Sequence, residues 1–190
     1  MDFAKFKAVL QRSNDCLEKW LALQETAARL YSNAGNILNR LPILSERRNF
    51  SGLPNSEQLQ QLVLAKQLKA LEAVFGRIQT NLSEAEAVVG TQERLVVEAW
   101  RLLGEAPGAE ACAAVQPGGV SVAQLVECLE DVGRMCRDDL AVLAAARSCL
   151  THTTSPQEFE SLDAARKGAM GLLVGSYPVI LMQSAASALR

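Results

Sequence analysis

The chain has 190 residues, enough for one domain with a sizeable core. Its net charge of −2 and pI near 5.5 exclude a broad basic surface for nucleic-acid phosphates and a polybasic membrane anchor. The composition is 49% hydrophobic but only 5% aromatic, which favours helix over strand. We therefore predict a single all-α domain over residues 1–190, with a long helical hairpin over 1–103 and shorter helices over 120–190.

The first predicted element is one long amphipathic helix over residues 2–41, ended by Pro42. Positions spaced alternately by three and four residues form a heptad seam, a stripe of side chains that faces a neighbouring helix. The seam is apolar or aromatic except at Ser13 and Gln24. At about 1.5 Å per residue the helix would be roughly 60 Å long. Pro and Gly residues then predict a loop over residues 42–55.

The second predicted helix begins near Ser56 and carries the clearest seam in the chain. This seam runs from Leu64 to Leu103, and Gln92 is its one polar member. An unbroken helix here would be about 70 Å long. Gly76 and Gly90 each cost roughly 1 kcal/mol relative to Ala, so they mark the places where the helix could bend.

A third helix is predicted to begin at Ser121, after a loop over residues 104–120 that is rich in Gly and Pro. Ser121 and Gln124 have the spacing of a capping box, in which each side chain accepts a hydrogen bond from the other residue's backbone N–H. The seam of this helix is apolar except at Asp139. A charged seam position needs a partner. We expect either an ion pair across a helix interface or a seam open to another protein.

Two shorter helical segments complete the predicted domain. Ser155 and Glu158 form a second capping box with a proline between them, and this helix is expected to reach about Val174. The last segment restarts after Pro178 as a short apolar stretch. The predicted architecture is therefore an elongated antiparallel helical bundle or coiled coil, with two long N-terminal helices and two to three shorter C-terminal helices.

Few side chains suit catalysis or metal binding. The sequence has a single histidine, His152, in a predicted turn. Cys149 and His152 have metal-ligand spacing, but no second Cys/His pair completes a tetrahedral site. Adjacent carboxylates such as Asp138 and Asp139, or Glu130 and its neighbour, point about 100° apart on a helix and do not converge on one atom. We predict no catalytic, cofactor-binding or metal site, and a protein that is not an enzyme.

Three glycines near the C-terminus superficially suggest a phosphate loop. Gly168, Gly171 and Gly175 lack the Gly-Lys-Ser/Thr signature and follow a helix, so we expect close helix packing instead. The apolar run from Gly168 to Met182 is shorter than the roughly 20 residues that a bilayer requires. We expect it to be a docking segment, buried by the bundle or by a partner.

The cysteines and the N-terminus bear on the compartment. The five cysteines are odd in number and contain no CxxC pair, so reduced thiols are expected. The chain begins without the apolar segment of a secretory signal. We expect a cytoplasmic protein, with the nucleus as a second compartment.

Long apolar seams also predict association with other proteins. A mean hydropathy of +0.07 is high for elongated helices, so some apolar surface should remain exposed in the single chain. We expect large aromatic side chains to act as anchors. From the sequence, core and interface roles stay open for these positions. The side chains expected on the partner seam are Phe3, Leu10, Trp20, Phe75, Ile78 and Leu82.

Several short stretches occur in the order and spacing of a known family. They are Lys66-Gln67-Leu68, Glu93-Arg94-Leu95, the Gln116-Pro117 loop, Val120-Ser121 and Leu125 to Val132. In these stretches, in helix spacing and in total length, the sequence resembles the ribosome maturation factors known as AIRIM. A second set is similar to the related cyclin-dependent-kinase-interacting protein family, CINP. That set comprises Lys19-Trp20, Arg137-Asp138-Asp139-Leu140 and Ser155-Pro156.

The resemblance implies a non-enzymatic helical subunit. Such a subunit pairs with its counterpart, a CINP- or AIRIM-like helical protein, and the pair docks on hexameric AAA ATPases of the spermatogenesis-associated type. That assembly acts on cytoplasmic pre-60S ribosomal particles. ATP hydrolysis then belongs to the ATPase, and no catalytic residue carries over. The partners expected are proteins in a hetero-oligomer, without direct nucleic-acid or membrane contact.

Two other interpretations stay open from the residues alone. A structural coiled-coil subunit of a cytoskeletal or tethering complex would form rods or homo-oligomers without an ATPase. A small helical enzyme would need a bound metal or cofactor.

Overall fold

The computed structural model describes residues 2–106, 108, 113, 120–170 and 175–188. Over those residues the protein is all-α without strands, as predicted. The elements are α1 (Phe3–Leu38), α2 (Leu41–Ser45), a 3-10 helix (Arg47–Phe50), α3 (Ser56–Gly104), α4 (Val122–Cys149), α5 (Pro156–Met170) and α6 (Tyr177–Ala188).

The helices form a four-position bundle around two consecutive apolar cores. Helix α1 packs along α3, and α3 packs along α4. The fourth position, between α4 and α1, is filled by α6 beside one core and by α5 beside the other. Helices α1 and α3 are antiparallel, since Asn81 Nδ2 donates to the Leu23 carbonyl at 3.2 Å while Ser13 lies beside Gln92. The three long seams are therefore buried against one another within a single chain.

Helix α3 is continuous over 49 residues, which corresponds to about 73 Å. It begins at Ser56, as the sequence predicts, although its N-cap is Asn55 in the left-handed conformation (φ 53°) without a capping side-chain bond. Gly76 and Gly90 do not interrupt it, because the surrounding helical turns stay hydrogen-bonded across both positions.

The end of the first helix differs from the prediction. Helix α1 ends at Leu38, and Pro42 lies instead in the first turn of α2. Proline is tolerated there because the first N–H groups of a helix have no intrahelical acceptor. The prediction of a loop over residues 42–55 was also incomplete. This segment contains most of α2 and a 3-10 helix whose Phe50 is buried.

Both predicted capping boxes are present. At α4, Gln124 N donates to Ser121 Oγ at 3.2 Å, and Ser121 N donates to Gln124 Oε1 at 2.9 Å. At α5, Glu158 N donates to Ser155 Oγ at 3.2 Å, and Ser155 N donates to Glu158 Oε2 at 2.8 Å. Val174, the predicted end of α5, lies outside the described residues.

The close approach of helices occurs at a glycine other than those predicted. A Cβ on Gly35 of α1 would lie 2.4 Å from Cε1 of Phe159 on α5, so only glycine lets the ring pack there. At Gly168 no described atom lies within 4 Å of a Cβ, so the prediction of close packing there was wrong. Gly175 is in a turn with φ +79°, and Gly171 lies outside the described residues.

Substituting Ala for Gly35 is expected to lower the free energy of unfolding by about 1–2 kcal/mol, because the Phe159 ring must leave its position in the core. The matched control is Gly76→Ala, also within a helix but with no atom of the described residues within 4 Å of the new Cβ. That substitution should raise stability by about 1 kcal/mol through helix propensity. Urea unfolding of both variants tests the contrast, and a stabilising Gly35→Ala would contradict the α1–α5 packing.

The four polar seam positions bind each other across helix interfaces. Ser13 of α1 and Gln92 of α3 are hydrogen-bonded at 2.7–2.9 Å. Gln24 of α1 donates from Nε2 to Asp139 Oδ2 of α4 at 2.8 Å. The sequence-based expectation for Asp139, an ion pair or an open seam, was therefore wrong: the carboxyl group is buried and its partner is an amide. Such polar pairs fix the register of neighbouring helices.

Candidate partner-binding surfaces

The six side chains predicted on a partner seam are mostly covered by this chain's own helices. Leu10, Trp20 and Leu82 lie in the core beside α6. Phe75 and Ile78 lie in the core beside α5. Phe3, at the start of α1, is 48% exposed. Five of the six positions are thus buried within the chain and Phe3 is not. Contact of these positions with another protein stays a prediction, and for the five buried ones it would require the bundle to open.

The histidine and the exposed cysteine do not converge on a metal site. Cys149 is exposed at the end of α4. His152 Nε2 lies 3.8 Å from Glu72 Oε1, and its ring lies 5.6 Å from the ring of Phe75 between centroids. Within the described part of the chain, no group of three or more His, Cys, Asp or Glu side chains could hold a metal ion.

The carboxylates considered as acid–base pairs have separate partners. Glu130 Oε2 accepts a hydrogen bond from Trp100 Nε1 at 3.0 Å. The neighbouring Asp131 forms an ion pair with Arg134 at 2.7 Å. The first contact joins α3 to α4, and the second lies on the surface of α4. Both are structural contacts and not acid–base pairs.

The described cysteines are free, and three of them are buried. Burial raises the pKa of Cys16 and Cys128, and it raises that of Cys136 to about 12. Since the thiolate is the reactive form, these thiols are poor nucleophiles at neutral pH. Cys112 lies outside the described residues.

One exposed apolar surface lies where α3 extends beyond the end of α1. We define the α3 arm as residues 56–70, all of which the structure describes, and only Gln60 among them is buried. Gln60 Nε2 donates to the Leu44 carbonyl of α2 at 2.9 Å, so the short elements after α1 cover one side of the arm. Its exposed or half-exposed apolar side chains are Leu59, Leu62, Val63, Leu64 and Leu68.

The arm is apolar on two sides. Leu64 and Leu68 continue the seam that Leu71 and Phe75 bury further along α3. Leu62 is nine residues from Leu71 in the sequence, which places it about 180° around the helix, and it is 64% exposed. A helix that is apolar on opposite sides is normally enclosed. The single chain encloses the arm only in part.

The charges around the arm differ in sign from those of the whole chain. Residues 40–72 carry a net charge of +2, against −2 for the full sequence. Arg47 and Arg48 are paired with Glu57 and Glu46. Within the described residues, Arg40, Lys66 and Lys69 have no carboxylate within ion-pair distance. The exposed side of the arm is therefore apolar with a basic border.

A second exposed apolar surface lies near the other end of α3. We define the Trp100 patch as Val97 and Trp100, which are 69% and 43% exposed. It borders a groove of about 200 Å³ between α3 and α4. Gly133 forms the floor of this groove, where a Cβ would lie 3.4 Å from Val96 Cγ2.

The sequence-based analysis missed both surfaces because it followed the seams. Leu62 and Val97 are apolar residues off the seam, and their position was the signal in the sequence from which the surfaces could have been found. The segment Gly168–Met182, expected to dock, is divided: Val179 and Met182 are buried in the bundle, whereas residues 171–174 lie outside the described residues.

None of the described helices is both long enough and apolar enough to span a bilayer.

Comparison with known proteins identifies the family. A model of the family described as CA109-like, ribosome biogenesis protein C1orf109-like, matches residues 3–164 of 190. The match extends from the start of α1 into α5. No curated protein matches the chain. C1orf109 is AIRIM, so the resemblance to AIRIM is confirmed. The chain belongs to the family of C1orf109-like ribosome biogenesis proteins.

Proposed function

We propose that this chain is a non-enzymatic adaptor subunit of ribosome biogenesis. It pairs with a second small helical protein of the CINP type and docks on a spermatogenesis-associated AAA ATPase that acts on cytoplasmic pre-60S particles. The family supports the process, since its description is that of ribosome biogenesis proteins.

The observation that carries the adaptor role is the separation of the two exposed surfaces. Leu62 in the α3 arm and Val97 in the Trp100 patch belong to one continuous helix. At 1.5 Å per residue they are about 53 Å apart along its axis. A rigid helix with an apolar surface near each end suits a subunit that holds two other proteins at a fixed distance.

The buried seams argue against the structural coiled-coil alternative. A homo-oligomeric rod needs its seam to face another copy, whereas the seams of α1, α3 and α4 face one another. In our proposal ATP hydrolysis is performed by the ATPase, and this chain recruits and positions it. The proposed compartment is the cytoplasm, with the nucleus as a second site.

Affinity purification of the tagged full chain from cells, in the presence of ATP and followed by mass spectrometry, tests the proposal. We expect AAA ATPases, a second small helical protein and pre-60S proteins to be recovered together. Cytoskeletal or membrane-tethering subunits in their place would contradict the adaptor function. They would leave the membership of the family untouched.

A further inference from the structure

We propose that the outward side of the α3 arm binds an α-helix of another protein, apolar where it faces Leu59 and Leu62 and acidic where it faces Lys66 and Lys69. This inference rests on the proposed adaptor function and identifies the surface and the chemistry of one partner.

The outward side of the arm has the length and spacing of a helix-binding stripe. Leu59, Leu62, Lys66 and Lys69 are spaced by three and four residues, so they follow one line along the helix. All four side chains are exposed. The line extends over ten residue steps, about 15 Å, which matches two to three turns of a facing helix. Apolar anchors at this spacing are typical of helix-to-helix recognition.

The charges select the partner. Lys66 and Lys69 lack a carboxylate within ion-pair distance among the described residues. Complementary charge on a partner steers association and fixes its register. A helix with Asp or Glu beside its apolar stretch fits this surface.

Self-association through this stripe is disfavoured in either direction. In an antiparallel pair, Lys66 and Lys69 would lie on the leucines of the second copy, which desolvates two charges without a partner. In a parallel pair, each lysine would face the same lysine of the second copy, so like charges would repel. The occupant is therefore a different protein.

Site-specific photocrosslinking in cells tests the inference on the full chain. A photoreactive amino acid replaces Leu62, and the matched control carries it at Gln79, an exposed position of the same helix that belongs to neither surface and lies about 26 Å away. We expect the crosslinked peptide at position 62 to belong to another protein and to combine apolar residues at 3–4 spacing with net negative charge. The double variant Lys66→Glu/Lys69→Glu should reduce this crosslink about tenfold, and the loss should shrink at high salt.

The other outcomes overturn the inference. A crosslink to a second copy, to RNA or to lipid, or a yield at position 62 no higher than that without irradiation, would exclude a helical protein partner on this stripe. Circular dichroism of the charge-reversal variant controls for unfolding. If the adaptor complex is still recovered while the arm fails to crosslink, only the location is wrong. If the arm crosslinks to an acidic helix but no ATPase is recovered, the adaptor function fails instead.

Discussion

Replacing Trp20 with Ala is expected to lower the free energy of unfolding by about 3–5 kcal/mol. Trp20 is 0% exposed and packs in the core beside α6. Its indole N–H has no hydrogen-bond acceptor among the described residues, so the substitution removes packing alone. The decrease in the free energy of unfolding therefore measures the cost of the cavity that the missing ring leaves between α1 and its neighbouring helices.

The second tryptophan supplies the matched control. Trp100 is 43% exposed and bonds Glu130 at the surface. Trp100→Ala should cost less than about 1 kcal/mol, while Trp20→Phe, which keeps an aromatic ring, should fall between the two. Chemical unfolding followed by circular dichroism measures all three. Equal losses at Trp20 and Trp100 would contradict the burial of the seam within the single chain.

Replacing Asp139 with Asn is expected to stabilise the protein at pH 7.5 by roughly 2–3 kcal/mol. Burial raises the pKa of Asp139 from 3.8 to about 6; the hydrogen bond from Gln24 opposes this rise and the charge of Asp138 adds to it. A raised carboxyl pKa means that the folded protein favours the protonated form. The stability from this group is present below pH 3.8 and is lost as the pH rises through 6.

Asn imitates the protonated acid at every pH and keeps an oxygen for the Gln24 amide. The two proteins should therefore be equally stable near pH 4, and the advantage of the variant should grow as the pH rises towards 7.5. Thermal unfolding at several pH values measures the difference. Asp138→Asn, at the exposed neighbouring position, should change stability by less than about 0.5 kcal/mol. A constant difference across pH would show that Asp139 is not buried.

The long helices could be predicted because their seams repeat at a fixed spacing. The capping boxes at Ser121 and Ser155 could be predicted because they depend on residues only three positions apart. The end of α1 could not be predicted, because a proline is compatible both with the position after a helix and with the first turn of the next helix.

Which polar residues pair between helices depends on the register of one helix against another. The sequence of a single seam does not determine that register. The sequence marks Ser13, Gln24, Gln92 and Asp139 as the polar seam positions, but four such positions allow several pairings. The antiparallel register of α1 and α3 brings Ser13 to Gln92 and leaves Gln24 for Asp139. A seam also does not show whether the helix that covers it belongs to the same chain. The sequence therefore could not assign the seam residues to the core or to a partner interface.

Quantitative affinity purification of three forms of the tagged chain tests the central claim, that the two ends of α3 hold different proteins. The forms are the native chain, Leu62→Glu in the α3 arm and Trp100→Glu in the Trp100 patch, each checked for helicity and purified with ATP. We predict that each substitution reduces recovery of a different partner at least tenfold while the other is retained. Unchanged recovery in both variants, or loss of the same partner from both, would contradict the two-ended adaptor.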